Sequence, residues 1–163
     1  MIETIHKEQQ WILFFTNPIF LSAATSWLLS QFIKTIFALF NWSIRSPLDF
    51  IELILWRTGG MPSSHSALAA SLTTSIGIRQ GFHSDLFIFA AFFAMVVIRD
   101  AVGVRRSSGL QAKTLNDLGS KFGEKNTDYH FKPVKEIHGH KPIEAVAGCI
   151  LGIIIAILFG YFG

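Results

Sequence analysis

Residues 59–66 read Gly-Gly-Met-Pro-Ser-Ser-His-Ser, and a run of small and hydroxyl residues follows them directly. The glycines and the proline are typical of a tight turn, and the serines favour the start of a helix. Such a turn presents backbone N–H groups, hydroxyls and an imidazole at the positive end of a helix dipole, which suits it to phosphate. We therefore predict a phosphate-binding turn that contains Gly60, Ser63, Ser64 and His65.

Four segments of the chain have the length and apolar character that a membrane-spanning helix needs. They are residues 18–40, 65–82, 84–104 and 142–162. Half of the 163 residues are hydrophobic, only 15% are charged, and the mean hydropathy is +0.43. The chain length alone predicts one domain, residues 1–163. We expect an all-α integral membrane bundle of about four transmembrane helices, with short interfacial helices.

The small residues of two spans predict how the bundle packs. Segment 65–82 is the least apolar of the four, and its alanines and serines favour a central position between other helices. In the last span, glycine or alanine recurs every four residues, a stripe suited to close helix contact: Gly148, Gly152, Ala156 and Gly160.

The connections between the spans are also informative. Residues 47–56 are apolar but too few to cross a bilayer, which favours an interfacial or re-entrant helix. Residues 105–141 form a long connection of the kind that is often functional. Within it, four apolar residues fit one face of a further helix: Leu110, Leu115, Leu118 and Phe122.

The basic residues are distributed unequally between the two sides of the predicted bundle. Two basic residues, Lys7 and Arg79, fall on one side, and ten fall on the other: Arg45, Arg57, Arg105, Arg106, Lys113, Lys121, Lys125, Lys132, Lys135 and Lys141. This bias predicts that the second side, which also carries the candidate site, faces the cytoplasm.

Residues 139–148 read Gly-His-Lys-Pro-Ile-Glu-Ala-Val-Ala-Gly, the second informative stretch. One helical turn separates His140 from Glu144, so the carboxylate could accept a hydrogen bond from one ring nitrogen. The other nitrogen would then be free to attack phosphorus, with His65 as the proton donor to the leaving oxygen.

Further charged residues could hold the phosphate. Arg105 and Arg106 offer planar, bidentate donors, and Lys34 lies near the end of the first span. Asp100 lies inside the third span, where a charge is usually paired or functional. We expect Asp100 to contact an arginine and to hold it in place.

Simpler interpretations of these residues remain open. His140 and Glu144 could be an interfacial capping pair, and Arg105 and Arg106 a cytoplasmic anchor. Lys34 could extend to the membrane surface. His130, His138 and His140 could suggest a metal site, but three histidines without a fourth ligand are a weak signal. We expect no metal ion at the site.

The two stretches resemble the type 2 phosphatidic-acid phosphatase superfamily, relatives of bacterial acid phosphatases and vanadium haloperoxidases. The shared motifs are Gly-Met-Pro-Ser-Ser-His at 60–65 and Gly-His-x-Pro-x-Glu-x-x-x-Gly at 139–148. With Asp-Ala-Val-Gly-Val-Arg-Arg at 100–106, the chain is more closely similar to a divergent branch of small membrane proteins, the YuiD-like proteins.

This resemblance implies hydrolysis of phosphate esters through a phosphohistidine, without metal or cofactor. His140 matches the nucleophile, Glu144 its orienting carboxylate and His65 the general acid, while Ser63 and Ser64 match the phosphate-binding turn. It also implies a place in a bacterial cell membrane.

The chain departs from the superfamily pattern at several positions. The superfamily lysine is followed seven residues later by Arg-Pro, whereas Lys34 is followed at that spacing by Asn41-Trp42. Ser64 replaces a glycine, Glu144 replaces an aspartate, and no arginine lies six residues before the nucleophile. Arg105 or Arg106 could substitute for that arginine.

Three functions are compatible with the sequence. The first is a lipid phosphatase that cleaves a phosphate monoester or diphosphate, with the lipid tail entering through a lateral slot between helices. The second is a non-catalytic protein that binds or moves a phosphorylated lipid or anion, and the third is a structural membrane subunit. Four spans are few for a transporter acting alone, so the last two imply a homo-oligomer or a partner protein. We expect no nucleic-acid partner.

Overall fold

The computed structural model describes residues 2–40, 60–125, 131–136 and 139–162. All its regular elements are helical: α1 (Ile2–Phe15), α2 (Pro18–Phe40), α3 (Ser64–Gln80), α4 (Asp85–Arg99), a π-helical segment (Asp100–Val104), α5 (Arg105–Lys125) and α6 (Pro142–Phe162). The predicted all-α class is confirmed. The interfacial helix predicted at 47–56 lies outside the described residues.

Within the described residues, three helices are long and apolar enough to cross a membrane: Pro18–Phe40, Asp85–Phe122 and Pro142–Tyr161. The protein is therefore an all-α membrane bundle. The remaining predicted span corresponds to α3, which has 17 residues and is more polar than the other three.

Helix α3 occupies the centre of the bundle, as its small residues predicted. It packs against α2, α4 and α6. A β-carbon on Gly148 would collide with the Ser63 carbonyl, and one on Gly152 would collide with the Ala67 carbonyl. The small-residue stripe of α6 therefore lets the α6 backbone lie directly against α3. Because protein rather than lipid surrounds α3, this helix does not need an apolar surface.

Hydroxyl groups join α3 to its neighbours inside the bundle. The Ser22 and Ser75 hydroxyls lie 2.6 Å apart, and Ser26 donates to the Ala67 carbonyl over 3.3 Å. Thr73 donates to the Ala90 carbonyl of α4 over 3.2 Å. A polar group at membrane depth has no water to bind, so these internal partners satisfy it.

The third predicted span does not end at residue 104. Helix α4 continues through the π-helical segment into α5, because the Arg105 N–H donates back to the Asp100 carbonyl and keeps the backbone helical. The predicted boundary at residues 104 and 105 coincides with the end of the π-helical segment, but the helix is not broken there. The helix predicted within residues 105–141 is confirmed as α5. The four apolar residues predicted on one of its faces are exposed: Leu110, Leu115, Leu118 and Phe122.

Helix α1 was not predicted. It joins α2 at Asn17, whose side-chain oxygen accepts from the Ile19 N–H over 2.9 Å, while Pro18 takes the first helical position. The Phe14 and Phe20 rings pack across this corner with centroids 4.7 Å apart.

Candidate phosphate site

Three hydrogen bonds bring the predicted site residues together at one end of the bundle. Lys34 Nζ of α2 donates to the Ser64 hydroxyl of α3 over 3.1 Å. The Ser63 N–H donates to the Glu144 carbonyl of α6 over 2.9 Å. The His140 N–H donates to the carbonyl of Ala101 in the π-helical segment over 3.1 Å. The ends of four elements therefore meet here.

The serine turn caps helix α3. Ser63 is the N-cap residue, and its hydroxyl oxygen accepts from the Ser66 N–H over 3.4 Å and from the Ser66 hydroxyl over 3.1 Å. Ser63 and Ser64 are buried, whereas His65 is half-buried. Gly60 has a φ of +87°, and no atom lies within 4 Å of the place of a β-carbon. Glycine is therefore required by the backbone conformation rather than by space.

The predicted contact between His140 and Glu144 is confirmed. Nδ1 of His140 lies 2.9 Å from Oε2 of Glu144, and the two side chains are only 4% and 15% exposed. The same carboxylate oxygen accepts from the Lys141 N–H over 3.2 Å. A carboxylate only accepts, so Nδ1 carries the proton and Nε2 is the ring atom that can react.

Lys34 is buried and does not extend to the membrane surface. Its side chain is 6% exposed, and Nζ donates to Ser64 Oγ and, over 3.2 Å, to Gln31 Oε1. Both acceptors are neutral, and Lys34 forms no salt bridge with the residues that the structure describes. A buried cation is costly without a counter-ion, so an anion beside Ser64 would stabilise Lys34.

The structure distinguishes the two arginines. Arg105 Nε donates to Asp100 Oδ2 over 2.7 Å, so the predicted contact between Asp100 and an arginine is formed by Arg105. Arg106 is exposed, and its backbone packs against Gly139, where a β-carbon would collide with it. His65 directly follows Ser64, the residue that Lys34 contacts, so it lies at the same end of the bundle.

Some residues of the site were missed by sequence reasoning. Gln31 holds Lys34 from one helical turn earlier, a spacing that is visible in the sequence. The Ala101 carbonyl and the close approach of Gly139 to Arg106 are backbone features and leave no comparable signal. Of the basic residues and histidines considered above, four lie outside the described part of the chain: Arg45, Arg57, His130 and His138.

The chain resembles known proteins over most of its length. Residues 15–155 match the family described as divergent PAP2. The membrane protein YuiD of Bacillus subtilis (strain 168) is 36% identical over an alignment of 135 residues, and the match covers 73% of this chain and 85% of that protein. No solved structure matches the chain. The matched segment contains every residue of the site described above, and the chain belongs to the divergent PAP2 family.

Proposed function

We propose that this membrane protein is a lipid phosphatase that acts through a phosphohistidine on a phosphate monoester or diphosphate group. The observation that carries the proposal is the buried contact between Nδ1 of His140 and Glu144, 2.9 Å long. It fixes the tautomer in which Nε2 has a free electron pair. The adjacent serine turn and buried Lys34 supply donors for phosphate oxygens.

The reaction follows from these positions in two steps. Nε2 of His140 attacks phosphorus, the bond to the ester oxygen breaks, and His65 gives its proton to the departing oxygen. Water then attacks phosphorus, the phosphorus–nitrogen bond breaks, and His65 takes a proton from that water. Lys34, Ser64 and Arg105 stabilise the negative charge that the phosphoryl oxygens carry in both transition states.

Phosphatidate, phosphatidylglycerol phosphate and polyprenyl diphosphates fit the proposal. Each joins a phosphate ester or anhydride to a hydrocarbon that the bilayer holds. A phosphate dianion near Lys34 and Arg105 would also favour the protonated form of His65, which the first step needs.

A second candidate is a protein that binds a phosphorylated lipid without cleaving it. It is favoured by the ion pair of Arg105, whose Nε–H is directed to Asp100, and by the missing arginine after Lys34. Both features reduce the charge available to a transition state, while Lys34 and the serine turn would still hold an anion.

The decisive measurement is phosphate release by the purified full-length protein in mixed micelles. The lipids are dioleoyl phosphatidate and farnesyl diphosphate. His140→Ala should abolish release and the acid-labile phosphoenzyme, whereas His65→Ala should slow poor leaving groups most. His83→Ala is the matched control, because His83 is exposed in the turn between α3 and α4. Vanadate should inhibit and EDTA should not.

A different outcome of these measurements would support the non-catalytic alternative. Folded protein that releases no phosphate from either lipid, yet binds phosphatidate before and after His140→Ala, would establish the non-catalytic alternative.

We also propose that the site faces the cytoplasm of a bacterial cell, on the basis of the ten-to-two distribution of basic residues. A cysteine placed within residues 123–128, in a Cys149→Ser background, should resist a membrane-impermeant maleimide in intact cells. A cysteine at His83, at the other end of the bundle, is the control and should react. The reverse pattern would invert the orientation without changing the chemistry.

A further inference from the structure

An apolar groove of about 660 Å³ lies between helices α4 and α6. Its lining includes Ala91 and Ala94 of α4 and Ala145 and Cys149 of α6, all small side chains. Among the residues that the structure describes, Arg99 is the only charged one that lines it. Both helices are membrane spans, so the surroundings of this groove are hydrocarbon.

One end of the groove adjoins the phosphate site. Ala145 follows Glu144 directly, and Pro142 is two residues from His140. On the other wall, Arg99 and Val102 flank the segment whose Ala101 carbonyl holds the His140 backbone. A molecule lying in the groove would therefore reach the site at this end.

We propose that the groove holds a hydrocarbon chain of the phosphorylated lipid and that Arg99 binds the anionic head group where the groove meets the site. This inference rests on the proposed function and assigns the tail and a further binding residue. Arg99 lies outside the motifs that gave the family resemblance.

Charge and depth favour a lipid as the occupant. Arg99 is exposed at the last residue of α4, inside an apolar helix that continues to Phe122, and a guanidinium there needs an anion or the polar head-group layer. An anionic lipid with its chain in the groove brings its phosphate to this level.

Cys149 makes the groove measurable in the unmodified protein, because it is the chain's one cysteine and lines the groove. The assay is the rate at which N-ethylmaleimide modifies Cys149 in detergent-solubilised full-length protein. Dioleoyl phosphatidate should slow this rate about tenfold when it saturates the groove. Dioleoyl phosphatidylcholine should protect less, and glycerol 3-phosphate, which has no chain, should not protect.

Two variants distinguish the contribution of the lipid's hydrocarbon chain from that of its head group. Ala91→Phe fills the groove, and Val96→Phe is its control on the same helix, because Val96 is exposed and does not line the groove. Ala91→Phe should remove the protection, and Val96→Phe should keep it. Arg99→Gln should weaken protection by phosphatidate about tenfold, the usual effect of losing a charge-assisted hydrogen bond. Protection by phosphatidylcholine should stay unchanged in Arg99→Gln.

Equal protection by the two lipids, or protection that survives Ala91→Phe, would overturn the inference. Protection that depends on protein concentration and not on phosphatidate would assign the groove to a second copy of the chain. The labelling assay needs no turnover, so its outcome is independent of phosphate release. If the protein cleaves phosphatidate but phosphatidate does not protect Cys149, the proposed function stands and only the groove proposal is wrong.

Discussion

Replacing Glu144 with glutamine tests how the carboxylate acts on His140. One oxygen of Glu144, Oε2, accepts both from Nδ1 of His140 and from the Lys141 N–H. A glutamine must place its carbonyl oxygen at this point, because its NH₂ group would face the Lys141 donor. The proton therefore stays on Nδ1, and the substitution removes only the negative charge.

The size of the effect follows from this geometry. A hydrogen bond to a charged group contributes about 1.5–3 kcal/mol and one between neutral groups about 1 kcal/mol. The loss of charge in Glu144→Gln should therefore lower kcat about tenfold. Glu144→Ala removes both hydrogen bonds and the orientation of the ring, so kcat should fall roughly a thousandfold.

The assay is kcat on dioleoyl phosphatidate, with equal amounts of folded protein confirmed by size exclusion. NMR of the ¹⁵N-labelled histidines should show Nδ1 of His140 protonated in the wild type and in Glu144→Gln. If glutamine and alanine cost the same, the argument from the Lys141 contact is wrong. If Glu144→Ala keeps more than about a third of the wild-type kcat, Glu144 does not orient the nucleophile.

Three further substitutions test other parts of the structure. Arg105→Lys should lower kcat at least about tenfold because it loses the planar fork of donors, whereas exposed Arg106 should tolerate lysine; equal effects would contradict the distinction between them. Lys34→Met should abolish phosphatidate binding in a lipid-binding assay without lowering the melting temperature, because it removes a buried charge that forms no salt bridge with the described residues. Gly152→Ala should destabilise the bundle by about 1–3 kcal/mol in thermal unfolding, because its β-carbon meets the α3 backbone. Gly103→Ala, with open space around it, is the control and should not destabilise.

Much of this architecture could be predicted because local chemistry determines it. Pro18 and Pro142 each stand at the first position of a long apolar run, and α2 and α6 begin at these residues. The contact between His140 and Glu144 follows from a spacing of one helical turn. The position of α3 follows from its small side chains, which pack better against protein than against lipid.

Other features depend on tertiary packing and could not be predicted. The burial of Lys34 depends on how α2 lies against α3, and the sequence was equally compatible with a side chain that reaches the surface. Helix α4 continues into α5 through the backbone hydrogen bond from the Arg105 N–H to the Asp100 carbonyl. The side chains at these two positions do not determine that backbone bond. The groove beside Cys149 exists because α6 packs on α3 and leaves a gap toward α4.

The π-helical segment also provides a position at which one residue could be deleted without breaking the helix. A π turn holds one residue more than an α turn, and here the Arg105 N–H reaches back five residues to Asp100. If one residue between these two were deleted, Arg105 would stand four residues after Asp100, the spacing that places two side chains on the same face of an ordinary α-helix. The ion pair would survive, and α5 would keep its present faces because the wide turn alone absorbs the difference. Relatives one residue shorter at this point are therefore expected to retain the arginine and its carboxylate partner.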